Sequence, residues 1–215
     1  MIRAATHKIA LSMVLLSVLS GCSALGALSD VTTPLDVYDL RAPEGAAVAQ
    51  GGTLARDVVV ELPNTSGVLN TDRIMIRPDA LQAQYLPDVR WGDEVPVMLQ
   101  TLMVRALENT NGLRYVGRRP LAGSADYAIV TELVDFQVEP GPDGIGSQVA
   151  ISLTSRLVRE DDAVVISTRT FNIIQPVPST DTPTLISAFD LASDAFLTQF
   201  ANWTITALGR RLAPA

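Results

Sequence analysis

Apolar residues recur at three- and four-residue intervals in two stretches of this chain and alternate with polar ones through most of the remainder. The first helical stretch is Asp93–Asn109, where Val95, Met98, Leu99, Leu102, Met103, Ala106 and Leu107 fall on one face. Asp93 is a suitable N-cap, Pro96 is tolerated in the first turn, and Asn111-Gly112 ends the helix. The second opens at Thr182-Pro183 and carries Leu185, Phe189, Ala192, Phe196, Phe200 and Trp203 at helical spacing through Leu208. Its roughly 26 residues predict a helix ~39 Å long. That aromatic stripe reads as the core face of a helix lying on a sheet rather than as a lipid-binding wall.

Alternation predicts strands at Leu35–Arg41, Asp57–Leu62, Asp72–Arg77, Leu81–Leu86 and Leu113–Val116. Asp72–Arg77 and Leu81–Leu86 are close enough to pair as a hairpin. Three long runs follow in succession, Asp126–Glu139, Gln148–Arg159 and Ala163–Gln175, joined by Gly141-Pro142-Asp143-Gly144 and by Asp161-Asp162. Short turns between consecutive runs imply an antiparallel meander. Two helices with one apolar stripe each, and strands with one apolar face, predict an α+β fold: a two-layer sandwich whose mostly antiparallel sheet carries both helices on one face.

The N-terminus adds a different signal. Arg3 and Lys8 precede a short apolar run, Ile9–Leu19, and Leu19-Ser20-Gly21-Cys22 closes it with small residues before the only cysteine. The run is shorter than the ~20 apolar residues that span a bilayer. The expected organisation is a signal peptide over residues 1–21, a lipidated Cys22 and tether over 22–34, and one domain over 35–210. The tether SALGALSDVTTP, fully extended, reaches ~40 Å at most.

Removal of the leader would leave 14 arginines against 23 acids, with neither lysine nor histidine, since Lys8 and His7 are the only ones. An acidic chain is a poor ligand for nucleic acid. Without His there is no Ser-His-Asp or Cys-His triad, and without Lys no Schiff base or phosphate-loop lysine. Acylation of Cys22 removes the sole thiol. No enzymatic activity, cofactor or metal site is therefore expected, although composition alone leaves paired carboxylates open. Gly141–Gly146 lacks the lysine and context of a phosphate loop. Arg118-Arg119 and Arg210-Arg211 read as solvated pairs, and Glu160-Asp161-Asp162 as a polar turn rather than a calcium loop.

Tyr85–Asp93 (YLPDVRWGD) places an arginine beside a tryptophan in what reads as a loop entering the first helix. Arg and Trp are favoured interface anchors, so Tyr85, Arg90 and Trp91 are the candidate partner-binding residues. The competing reading folds Trp91 back over the first helical turn as a hydrophobic staple.

Four features together resemble the ABC-type transport auxiliary lipoprotein family, which accompanies MCE-domain lipid transport systems of the paraquat-inducible type. They are the lipobox at Cys22, the strand centred on Tyr38, the block DRIMIRPDALQAQYLPDVRWGD before a helix, and the terminal Phe200-Ala201-Asn202-Trp203. The resemblance implies a non-catalytic envelope lipoprotein facing the periplasm. Its partners would be an MCE-domain protein and an inner-membrane ABC transporter that moves phospholipid between membranes, and its contact with the membrane would be through the lipid anchor. Ser23, rather than Asp, implies sorting to the outer membrane. Exposed strand edges offer a route to a homo-oligomer. The alternative is an outer-membrane assembly lipoprotein of the lipopolysaccharide-export type, which also joins a lipobox to a small α+β sandwich. Direct carriage of phospholipid between helices and sheet would require a pocket the sequence does not reveal.

Overall fold

The computed structural model describes residues 35–43 and 47–213. The predicted leader, Cys22 and the tether through residue 34 lie outside them, and the compact unit begins at Val37. In chain order the elements are β1 (Asp36–Tyr38), β2 (Leu54–Val60), β3 (Asn64–Thr65), β4 (Arg73–Asp79), β5 (Gln82–Trp91), α1 (Val95–Asn109), β6 (Leu113–Gly117), β7 (Tyr127–Pro140), β8 (Ser147–Arg159), β9 (Val164–Val177) and α2 (Thr182–Ala207). Among the described residues the fold is α+β, a nine-stranded open sheet with two helices.

The sheet is organised on β7. Along one edge β7 pairs antiparallel with β8, and β8 with β9, as the three long runs predict. Along the other edge three short strands lie end to end, all parallel to β7. Val58–Val60 faces Tyr127–Ile129, Asn64–Thr65 faces Glu132–Leu133, and Met75–Ile76 faces Gln137–Val138. A strand of 14 residues is long enough for this, at ~46 Å. The β6 strand also runs parallel to β2. The sheet is thus mixed: its long strands pair antiparallel, and the short strands along the other edge of β7 pair parallel. Alternation reports which face a side chain takes and carries no information on strand direction.

The expected hairpin forms between β4 and β5, but β5 continues five residues past Leu86. Within Tyr85–Asp93, read as a loop, the strand carries a bulge: residues 85 to 90 oppose only 75 to 73, and Asp88 takes up the excess with φ at 61°. Trp91 consequently ends a strand and does not sit in a loop.

All seven apolar positions predicted for α1 are buried, and so are the six of α2. The helix α1 is capped by Glu94 rather than Asp93, with no side-chain hydrogen bond at the cap. Its end matches expectation. Asn111 turns left-handed at φ 51°, and Gly112 follows because a Cβ there would stand 2.8 Å from Ile205 Cδ1 and 2.9 Å from Ala49 Cβ. At the start of α2, the Asp181 carboxylate accepts from the Thr184 amide at 3.1 Å. The helices contact each other, α2 lies against β8 and β9, and α1 against β6 and β2.

Two aromatic groups fill the space between helices and sheet. Phe171 of β9 meets Phe196, Phe200 and Trp203 edge-on, with centroids 5.3, 6.3 and 5.9 Å away. Nearer the start of α2, Trp91 meets Phe136 at 6.0 Å and Phe189 at 5.2 Å. Edge-to-face pairs of this kind contribute ~0.5–1.5 kcal/mol beyond area burial. The inner face also holds one buried hydroxyl pair, Thr131 Oγ1 to Ser155 Oγ at 2.9 Å. Buried Gln100 of α1 donates to the Val60 carbonyl at 2.9 Å, which ties the helix to β2. No helix among the described residues is long and apolar enough to cross a membrane.

Candidate functional site

The β4–β5 hairpin separates the three predicted partner-binding residues. Val89 and Trp91 point into the core and Arg90 points out, the period-2 alternation of a half-buried strand. Trp91 is 0% exposed and packs between Phe136 and Phe189. It cannot touch a partner while the domain is folded, so its place in the predicted contact set is corrected. It is also no staple in a loop: its amide donates to the Asp72 carbonyl at 2.7 Å as part of the sheet.

Arg90 remains at the surface and Tyr85 is half-buried against the core, and two residues not singled out from the sequence hold them. Arg73, opposite Arg90 in the ladder, lays its guanidinium over the Tyr85 ring at 4.6 Å. Arg90 donates through Nη1 to Asp72 Oδ2 at 3.0 Å, and the Tyr85 hydroxyl donates to the Val68 carbonyl at 3.0 Å. Two arginines directly opposite each other would repel. The structure resolves this by giving one to a carboxylate and the other to an aromatic face. The Asp72-Arg73 pair, one ladder step from Arg90, was the sequence signal available for it. This cluster can present a planar aromatic and two cations to a partner; it has no nucleophile activated by a base.

A second polar cluster lies where β7 begins. Arg56 Nη1 reaches Asp126 Oδ1 at 3.3 Å, and Arg114 reaches Asp57 at 2.7 Å and Asp126 at 3.6 Å. Arg159 reaches Asp162 at 3.0 Å and Asp161 at 3.3 Å. These residues line an open cleft of about 330 Å³. The hydrogen bond and charge of Arg114 hold the Asp57 carboxyl below its ordinary range and raise Arg114 in return. Arg159 lowers Asp162 in the same way, its hydrogen bond being the largest cause. The three arginines already have carboxylate partners, so the cleft offers an incoming anion no free cation. Among the described residues no group of three or more His, Cys, Asp or Glu is placed to hold a metal ion.

At the opposite end of β7 a third feature opens between the β4–β5 hairpin and the first turn of α2. It is a groove of about 250 Å³ walled by Ile76, Leu86, Val138 and Leu185, with Arg77 and Glu139 at its sides.

The sequence pattern of the ABC-type transport auxiliary lipoprotein component matches residues 38–201. The chain belongs to that family. Members of the auxiliary lipoprotein family serve ABC-type transport, as the family description states. One relative of this auxiliary lipoprotein is an uncharacterized protein of Bradyrhizobium diazoefficiens, bll6063, 26% identical over 171 residues. The match covers 80% of this chain and 45% of that protein, so the chain spans about half the length of its relative. The auxiliary lipoprotein shares its fold with the crystal structure of XCC0632 from Xanthomonas campestris, a DUF330 protein, at a TM-score of 0.71 and 24% identity. That likeness covers 80% of this chain and 95% of the other. The hypothetical protein CT253 from Chlamydia trachomatis is similar at a TM-score of 0.50 and 11% identity, over 72% of this chain and 99% of CT253.

Proposed function

We propose that this chain is a non-catalytic, lipid-anchored envelope protein that docks an MCE-type phospholipid transport assembly, driven by an inner-membrane ABC transporter, at the outer membrane. The observation that carries the reading is the family match over residues 38–201, which takes in nearly all of the compact unit. Two features of the sequence support it further. Leu19-Ser20-Gly21-Cys22, with Ser23 after it, fits acylation at Cys22 and sorting to the outer membrane. A triacylated cysteine exceeds the two chains that stable anchoring requires, each buried CH₂ contributing ~0.8 kcal/mol. From Cys22 onward the chain has neither Lys nor His, which favours a binding role over chemistry. In this reading the helices and the sheet act as two layers of a stiff scaffold, and the hairpin surface of Tyr85 and Arg90 forms part of the contact with the assembly.

The test is mild crosslinking of the lipidated protein in its own membranes, followed by detergent purification and mass spectrometry. Recovery of an MCE-domain protein with its ABC permease is the expected result. Recovery of a β-barrel with lipopolysaccharide would move the assignment to an export-assembly lipoprotein. Cys22→Ala should shift the domain out of the membrane fraction, and an unchanged distribution would refute the anchor.

A further inference from the structure

Two large aliphatic side chains stand almost wholly in water: Leu81 is 97% exposed and Ile145 is 79% exposed. Leu81 occupies the turn between β4 and β5, and Ile145 the turn between β7 and β8. Turn positions ordinarily go to Gly, Pro, Asn, Asp or Ser, so neither residue is explained by the backbone it sits on. The topology brings the turns together. Since β4 runs parallel to β7 and is its neighbour, the two hairpins end at the same pole of the sheet, with their tips about two strand spacings, ~10 Å, apart.

Hydrogen bonds span both tips. The Asp79 carboxylate accepts from the amides of Leu81 at 2.8 Å and Gln82 at 3.0 Å. Across the other turn the Gly141 amide donates to the Gly146 carbonyl at 3.1 Å, over a single 3₁₀ turn at Pro142–Gly144. Leu81 and Ile145 thus project from turns whose backbones are hydrogen-bonded. On the helix side of the same pole lies the groove of Ile76, Leu86, Val138 and Leu185.

The charges around this pole choose the occupant. Asp79, Glu139 and Asp181 surround it, with Arg77 as the opposing cation. Hydrogen bonds from Ser179 and Thr184 keep the Asp181 carboxyl below its usual range, so it stays charged. An anionic lipid surface would be repelled. A second copy would bring the same acids into opposition.

We infer that this pole, with Leu81 and Ile145 as paired anchors above an apolar groove, docks a partner protein through an apolar segment flanked by lysine or arginine. The inference deepens the docking reading and rests on it, adding which surface makes contact and what chemistry it meets.

A photo-crosslinking residue placed at 81 or at 145 in the full lipidated chain, in its own membranes, tests this. Position 121 serves as control, since Leu121 is 71% exposed but lies in the loop between β6 and β7. Adducts to one protein from both 81 and 145 and none from 121, mapped to an apolar segment beside Lys or Arg, are expected. Aspartate at one tip should lower the yield from the other roughly tenfold or more, as for interface anchors. Lipid adducts alone, no adduct from either tip, or equal capture from 121 would overturn the inference. The identity of the captured protein separates the two claims. A transport component supports both. An unrelated protein with the expected segment supports the pole and refutes the transport reading. Recovery of the transporter by general crosslinking, with silence at both tips, refutes the pole alone.

Discussion

Where β7 begins, Arg56, Arg114 and Arg159 each hold an aspartate within 3.3 Å; where it ends, Leu81 and Ile145 stand in water above an apolar groove. The first end is built from β2, β6 and the β8–β9 turn, the second from two hairpin turns and the start of α2. At the first, the polar groups satisfy one another, and an exposed ion pair of this kind has little left to offer a partner. At the second, apolar side chains and an apolar groove are left uncovered at one pole, the kind of surface that marks an interaction site. The exposed charge cluster where β7 begins is therefore the quiet surface, and the turns where it ends carry the unsatisfied one.

Removing the support beneath the second end should have the largest effect. Trp91→Ala leaves a cavity between Phe136 and Phe189, and the expected loss is ~3–5 kcal/mol in denaturant unfolding. Trp91→Phe should cost less, because the indole Nε1 has no hydrogen-bond partner among the described residues. Full stability of the alanine variant with partner binding abolished would instead return Trp91 to the surface.

The double variant Leu81→Asp, Ile145→Asp should behave in the opposite way. Both side chains are already solvated, so stability should stay within ~0.5 kcal/mol, while co-purification of the partner falls about tenfold. Loss of melting temperature in step with binding would show that the tips are structural.

At the first end Asp57→Asn should leave partner binding unchanged and lower stability slightly at neutral pH. The pH dependence sharpens this. A carboxyl held low in the folded state adds stability above its unfolded value, and that contribution is lost as pH falls through the folded one. Acid unfolding of the wild type should therefore lose the Asp57 and Asp162 contributions below about pH 4, and Asp57→Asn should flatten part of that slope. Asp194 has the reverse sign. Burial first, and Asp190 second, raise its carboxyl, so its ionised form is disfavoured in the folded state. Asp194→Asn should give a small gain at neutral pH that vanishes on acidification.

The helices and the β7–β8–β9 meander were legible in the sequence, because 3.6-residue and two-residue periods report directly on buried faces. The parallel placement of β2, β3 and β4 along β7 was not, because it had no local signature. The Trp91 contact failed for a related reason. Tyr85–Asp93 reads as a loop when it holds a bulged strand end, although the apolar–charged–apolar order of Val89, Arg90 and Trp91 was available to correct it. Arg90 is exposed and Tyr85 half-buried. The pairing of Leu81 with Ile145 was hidden entirely, since they are 64 positions apart in the chain and become neighbours only through the β4–β7 contact.

Hydrogen–deuterium exchange of the lipidated protein, free and in its purified partner complex, tests the contrast between the two ends most directly. The account predicts new protection at residues 79–82 and 141–146, with 118–124 and 160–163 unchanged. Protection at the arginine–aspartate end, with the Leu81 and Ile145 turns exchanging as in the free protein, would contradict it.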